Sequence, residues 1–205
     1  METYETKLVS FSSEEAIKSV QNEEVIAFPT ETVFGFGALA SSLLAYRRLV
    51  EIKHRPPLKP FTLMGGNKFN FSHYAYLNQN IIRLINTYVP GPLTLILKAK
   101  ENLPYPMTLN GETIGIRISG DEKLRNFIDQ VGCPLLVPSC NISSEPPLIS
   151  SSQAYAKFKG LLPYIIEGEA TSDVPSTIID CSKLDDVKLI RQGEIPFESI
   201  KELWR

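Results

Sequence analysis

The residue types that could do chemistry in this chain gather at the ends of apolar runs. Val25-Ile26-Ala27-Phe28 runs into Pro29-Thr30-Glu31-Thr32 and then Phe34-Gly35-Phe36-Gly37. Leu135-Leu136-Val137 runs into Pro138-Ser139-Cys140-Asn141. Pro175-Ser176-Thr177 precedes Ile178-Ile179, and Arg191-Gln192-Gly193 follows Leu189-Ile190. Hydroxyls and cations at strand ends, with glycines that let backbone approach a bound group, are what a small-molecule site requires. Read singly, each is equally an ordinary polar turn.

Two further segments add charge. Residues 113–119 alternate with period two, so Ile114, Ile116 and Ile118 face one way and Thr113, Gly115 and Arg117 the other. An arginine on an otherwise buried strand needs an anion, because an unpaired buried charge is too costly to keep. That anion is either an internal carboxylate or a ligand carboxylate or phosphate held bidentately, with Thr113 and Gly115 leaving room. Lys53-His54-Arg55-Pro56-Pro57-Leu58-Lys59 concentrates basic side chains at a helix end. It reads as a solvated helix terminus or as a phosphate clamp whose prolines fix the backbone.

Other chemistries are poorly represented. Cys133, Cys140 and Cys181 are odd in number and lack Cys-x-x-Cys spacing, and His54 and His73 stand near no cysteine, which argues against disulfide and zinc frameworks. Neither histidine suggests a triad with Ser139 or Cys140, and Cys140 is expected to be a packing residue. A P-loop signature is missing, and Gly35-Phe36-Gly37 lacks the third glycine of a dinucleotide fingerprint. Cations plus hydroxyls suit a reaction on a nucleotide phosphate, where positioning and charge neutralisation do most of the work.

The elements that must position these groups follow from periodicity and capping. Helices are expected at 13–21 (capped by Ser12, with Glu15 closing a capping box), from Ser41 or Ser42 to 53, from Asn78 or Asn80 to 89, after Asp121, at 153–159 and at 197–204. Strands are expected at 25–28, 61–64, 93–97, 113–119, 135–137, 164–166, 177–179 and 188–190. Residues 29–37 read as a site loop, 103–106 as a proline-rich loop and 142–152 as the most mobile loop. Alternating helices and strands indicate a single α/β domain over residues 1–205, with a twisted mixed sheet flanked by helices.

Taken in order, Pro29-Thr30-Glu31-Thr32-Val33-Phe34-Gly35, Lys53-His54-Arg55-Pro56, Pro90-Gly91-Pro92-Leu93-Thr94, Gly115-Ile116-Arg117, Pro138-Ser139-Cys140-Asn141, Pro175-Ser176-Thr177 and Arg191-Gln192-Gly193 resemble the YrdC-like threonylcarbamoyl-AMP synthases. The resemblance spans most of the chain. It implies a deep, positively charged cavity and condensation of L-threonine, bicarbonate (or CO₂) and ATP into threonylcarbamoyl-AMP and pyrophosphate. By the same resemblance Thr32, Arg117, Val137 and Ser176 would hold threonine. Arg55, Lys59, Thr113, Ser139, Pro147 and Arg191 would hold ATP, and Lys53, Arg55 and Asn141 would act on the reacting groups. Mg²⁺ would arrive with ATP, on its oxygens and water. The implied partner is the tRNA threonylcarbamoyl transferase machinery, with direct tRNA contact not required.

Some positions depart from the family pattern. Met64 stands where many members have a threonine-contacting histidine, and Phe34 replaces a common tyrosine. Ser119 and Gln192 stand where prolines are frequent, implying two looser turns. The extra C-terminal domain of longer members is expected to have no counterpart after Arg191, so that its part in closure would be either absent or supplied by loop 142–152. An alternative from another class is a non-catalytic RNA-binding module using the same basic cavity. The formal charge of −2 does not advertise nucleic-acid binding. The N-terminus lacks the pattern of a signal peptide, and no apolar run reaches the roughly 20 residues of a membrane span, so a cytoplasmic protein is expected.

Overall fold

The computed structural model describes residues 3–56, 60–183 and 185–204. Along them run β1 (Lys7–Val9), α1 (Glu14–Gln21), β2 (Ile26–Phe28), β3 (Gly35–Leu39), α2 (Leu43–Lys53), β4 (Leu63–Gly65), α3 (Gln79–Tyr88), β5 (Leu93–Lys98) and α4 (Tyr105–Thr108). The second half adds β6 (Thr113–Ile118), α5 (Glu122–Val131), β7 (Leu135–Leu136), α6 (Ser151–Phe158), β8 (Tyr164–Ile166), β9 (Thr177–Asp180), β10 (Lys188–Arg191) and α7 (Phe197–Leu203). The strands form one mixed sheet in the order β1-β8-β2-β3-β7-β4-β6-β5-β9-β10. Four neighbouring pairs are parallel (β1 with β8, β2 with β8, β4 with β6, β5 with β9), and the other five among the described strands are antiparallel.

Small polar residues start most helices. Ser42 accepts from Ala45 N at 3.0 Å, Asn78 from Ile81 N at 2.9 Å and Asp121 from Lys123 N at 2.8 Å. Each such cap stabilises its helix by about 1 kcal/mol. The first helix is capped by Ser13, not Ser12: Ser13 Oγ accepts from Ala16 N, while Ser12 Oγ meets Ser10 Oγ. The capping-box spacing therefore misplaces this start by one residue.

The strand alternation divides the sheet into two faces. On one, Leu63, Leu95, Leu97, Ile114, Ile116 and Leu136 enter the larger hydrophobic cluster, with Leu49 of α2 and Ile81 and Leu84 of α3. The opposite face carries a second cluster where Ile17 and Val20 of α1 and Leu124 and Phe127 of α5 join Phe28, Met64 and Leu135. Farther along that second face, β6, β5, β9 and β10 present Thr113, Gly115, Arg117, Thr94, Ile96, Ile178 and Arg191 to a cavity.

Two expectations are overturned here. Residues 35–37 are not part of a loop; they begin β3, which pairs Phe28 with Gly35 and Ile26 with Gly37. A Cβ at Gly37 would lie 2.4 Å from the Phe28 ring, and one at Gly35 3.0 Å from Val137. These glycines admit core side chains, not a ligand. The proline-rich stretch after Leu103 also contains α4, which begins just after Pro104.

Candidate active site

The cavity is about 360 Å³ and draws on segments far apart in sequence. Arg55, Thr113, Ser139, Pro147 and Arg191, expected at a nucleotide, all line it, as do Thr32, Arg117, Val137 and Ser176, expected at an amino acid. Three arginines and no carboxylate appear among the described lining residues. Lys59 lies outside the described residues. Lys53 and Asn141 are placed behind the wall, not in it.

Arg117 answers the question posed by its strand with an internal partner. Its Nη2 lies 2.8 Å from Oε1 of Glu31 and donates to Thr32 Oγ1 at 2.9 Å. Arg117 is 7 % exposed, and its Nε is buried without a hydrogen-bond partner. Glu31 also accepts from Gly120 N at 2.8 Å and from the Ser119 hydroxyl. Burial alone would raise the Glu31 carboxyl, but the Arg117 guanidinium and these hydrogen bonds outweigh it and hold the pKa below 4.5. Ser119 therefore ties its turn to Glu31 and does not loosen it.

Thr32 is 0 % exposed, closing the wall behind Arg117. Thr30 Oγ1 donates its single proton to Val33 O at 2.7 Å, so it is the acceptor in its 3.0 Å contact with Thr32 Oγ1. The chain of donors thus runs from Arg117 to Thr32 to Thr30 to the Val33 carbonyl, and it fixes the guanidinium from below.

Lys53 ends α2, where His54 turns the chain in the left-handed conformation and Arg55 N bonds back to Val50 O. Only 2 % exposed, the Lys53 ammonium donates to Ser139 O (2.6 Å), Asn141 O (2.9 Å) and Asn141 Oδ1 (3.0 Å). Burial, with the charge of Arg55 nearby, pushes its pKa down to about 8. Ser139 Oγ donates to Asn141 Oδ1 at 2.6 Å, which leaves that hydroxyl with acceptor capacity only. Arg55 itself lies over the Phe61 ring, 4.7 Å from its centroid, and donates to Pro60 O at 3.2 Å.

Arg191 reaches the cavity through an irregularity in β10. Leu189 pairs with Ile179 and Arg191 with Ile178, so Ile190 is extra, and both Ile190 and Arg191 line the cavity. Arg191 Nε and Nη2 donate to Ser176 O at 3.1 and 2.8 Å, and Nη2 also reaches Ser176 Oγ. Thr94 Oγ1 lies 2.9 Å from Ser176 Oγ.

The segment after Asn141 is well tethered. Asn141 Nδ2 donates to Ile142 O and Glu145 O, Phe34 N to Leu148 O, and Ala170 N to Ile149 O. Cys140 is fully buried and burial raises its pKa, as suits a packing residue.

Sequence reasoning assigned no role to Thr94, Phe61 or Thr62, all of which line the cavity. The period-two pattern of β5 contains the signal for Thr94, a hydroxyl among leucines. Met64 is 1 % exposed in the second cluster and does not line the cavity, so the departure from histidine is absorbed by packing. Gln192 donates to Gly193 O and Ile195 O and accepts from Phe197 N, tying the second turn expected to be loose.

The Sua5/YciO/YrdC family model, described as telomere recombination, matches residues 18–193. The chain is 33% identical over 189 residues to a threonylcarbamoyl-AMP synthase of Pyrococcus abyssi, covering 90% of this chain and 54% of that protein. It is 29% identical over 181 residues to a threonylcarbamoyl-AMP synthase of Klebsiella pneumoniae, covering 87% of this chain and 94% of that one. The crystal structure of P. abyssi Sua5 complexed with L-threonine aligns with a TM-score of 0.85 and 31% identity, over 97% of this chain and 60% of that chain. The chain thus spans little more than half of the Pyrococcus protein and nearly all of the Klebsiella one.

Proposed function

This chain belongs to the Sua5/YciO/YrdC family, and from that premise we propose that it is a threonylcarbamoyl-AMP synthase. It condenses L-threonine, bicarbonate (or CO₂) and ATP to L-threonylcarbamoyladenylate and pyrophosphate. The observation that carries this reading is the convergence of Arg55, Arg117 and Arg191, from three separate segments, on one cavity.

The chemistry calls for such a cluster. The threonine amine adds, neutral, to the one-carbon unit, with release of water from bicarbonate or of a proton when CO₂ is used; a carbamate oxygen then attacks the α-phosphorus as the bond to the β-phosphate oxygen breaks and pyrophosphate leaves. Both steps press anions together, so fixed cations supply most of the stabilisation. In this assignment Arg117 receives the threonine carboxylate, with Ser176 and the Val137 backbone beside it and Thr32 acting through Arg117. Arg55, Lys59 and Arg191 hold phosphates, Thr113 and Pro147 complete the nucleotide site, and Ser139, with its proton turned to Asn141, accepts from a nucleotide donor such as a ribose hydroxyl. Lys53 and Asn141 position Ser139.

Mg²⁺ fits as a companion of the triphosphate. No group of three or more possible His, Cys, Asp or Glu ligands occurs among the described residues, and the lining offers hydroxyls but no carboxylate. When bound, the ion would shield phosphate charge from ATP oxygens and water. The product is proposed to pass to tRNA threonylcarbamoyl transferase machinery in the cytoplasm; no described helix is long and apolar enough to cross a membrane.

Pyrophosphate release from ATP tests the assignment. It is expected to require both threonine and bicarbonate, and Arg117→Ala is expected to remove the threonine-dependent part. Release indifferent to threonine would overturn it.

A further inference from the structure

Two arginines of one cavity are treated differently by the fold. Among the described residues, Arg191 rests on the oxygens of Ser176 and pairs with no carboxylate. Arg117 is paired with Glu31 at 2.8 Å, although Glu31 is not part of the lining. At a distance the Arg117–Glu31 pair is a dipole, and its attraction for an approaching anion is largely cancelled. In contact Arg117 can still donate, because part of its side chain remains exposed and lines the cavity.

We propose that Glu31 is a specificity-determining residue that sorts two anions within the cavity, keeping a polyphosphate at the Arg191 end and leaving Arg117 to the carboxylate of a zwitterion. The repulsion from Glu31 scales with ligand charge. A triphosphate, with several negative charges, is penalised strongly; an amino acid of zero net charge is barely affected. The inference deepens the synthase reading and rests on it for the identity of the two ligands. A cavity that must hold both a triphosphate and a small carboxylate needs such a bias, since the polyanion would otherwise take the strongest cations first.

The hydrogen bonds make charge separable from shape. Oε1 of Glu31 takes both the Arg117 and Gly120 donors, and the other oxygen faces the Ser119 hydroxyl. In Glu31→Gln the amide oxygen keeps the first two contacts, while the amide nitrogen donates to Ser119, which can accept as well as donate. The positioning of Arg117 is retained and the negative charge is lost.

Calorimetric titration of the full chain with inorganic tripolyphosphate and with L-threonine at low salt tests the proposal. Glu31→Gln is expected to bind tripolyphosphate at least about tenfold more tightly (roughly 1.4 kcal/mol) and to let it compete with threonine. Threonine affinity is expected to change less than about threefold, and the tripolyphosphate gain to shrink with added salt. Tripolyphosphate affinity unchanged, or both ligands weakened together, would show Glu31 to be an anchor and overturn the sorting. Should Glu31→Gln fail to fold, the double variant Glu31→Gln/Arg117→Gln, which removes both charges of the 2.8 Å pair together, decides the matter: the proposal expects its tripolyphosphate affinity to change less than about threefold, and a fall of about tenfold sinks it. A wild-type protein that binds tripolyphosphate and ignores threonine would count against the synthase reading instead, with the tripolyphosphate arm still deciding the role of Glu31.

Discussion

Lys53 grips Asn141 twice, at the backbone oxygen (2.9 Å) and at the side-chain Oδ1 (3.0 Å). The consequence for the cavity is indirect. A third bond from the same ammonium holds Ser139 O, and Asn141 in turn takes the Ser139 proton and holds Ile142 O and Glu145 O. A charge with no access to ligand thus organises the turn that supplies Ser139 and the start of the segment that supplies Pro147.

Lys53→Met keeps much of the side-chain length but leaves these acceptors short of a donor. Each buried unsatisfied acceptor costs about 1–3 kcal/mol, offset in part because the desolvated charge is also gone. We expect a net loss of about 2–4 kcal/mol in chemical unfolding. Nucleotide affinity should fall with it while threonine affinity changes little. Equal loss of both would place Lys53 in the general fold and not in the Ser139 turn.

The same lysine makes stability depend on alkaline pH. Its folded pKa, about 8, lies below the ordinary 10.5, so between these values the unfolded chain binds more protons than the folded one. The cost of burying the charge is fully present below about pH 8 and disappears above about pH 10.5. Relative to Lys53→Met, the wild type should therefore gain stability with rising pH across that window, by up to about 1.4 kcal/mol per unit. Urea unfolding at several alkaline pH values reads the difference; a parallel pair of curves would contradict the burial effect.

Glu31 gives the opposite limb. Its folded pKa is below 4.5, so its contribution is fully present above the unfolded value and is lost as pH falls through the folded one. Acid unfolding of the wild type should include this loss, and Glu31→Gln should lack it. The variant should already be less stable near neutral pH by about 2–3 kcal/mol, because Arg117 remains buried without its counter-charge. An acid limb identical in the two proteins would mean that the pair contributes nothing to folding.

What the sequence made legible follows from which interactions are local. The β6 alternation named both the core isoleucines and the cavity face correctly, because a strand's period is fixed by its backbone. Asp121 was identified as a cap outright, and Ser42 and Asn78 within a choice of two residues, since the capping bond spans only a few positions. The Glu31–Arg117 pair was left open between internal and ligand partners, because the two residues lie in distant segments that only the fold brings together. The roles of Gly35 and Gly37 were misread for the same reason: the Phe28 ring that requires Gly37 comes from the neighbouring strand. The β10 irregularity that places both Ile190 and Arg191 in the cavity has no local signature at all.

Two glycines should respond to alanine in opposite ways. A Cβ at Gly193 would lie 2.3 Å from Pro175 O and 2.4 Å from Thr177 N, both backbone atoms that cannot rotate aside. Gly193→Ala must push the end of β10 from the 175–177 segment, straining the Arg191–Ser176 hydrogen bonds, at a cost of about 1–3 kcal/mol. Near Gly115 the closest atom to a new Cβ is Thr94 Cγ2 at 3.9 Å, an ordinary contact. Gly115→Ala should therefore leave stability unchanged or raise it by up to about 0.5–1 kcal/mol, since alanine loses less entropy in a strand. Its methyl group instead projects from the cavity face between Thr113 and Arg117, where it takes space from the ligands. The expected pattern is crossed: Gly193→Ala lowers the unfolding midpoint and weakens nucleotide binding with it, whereas Gly115→Ala raises KM at an undiminished midpoint. If Gly115→Ala were as unstable as Gly193→Ala, the β6 face at Gly115 would be packed against protein, and the open floor ascribed to the cavity would be wrong.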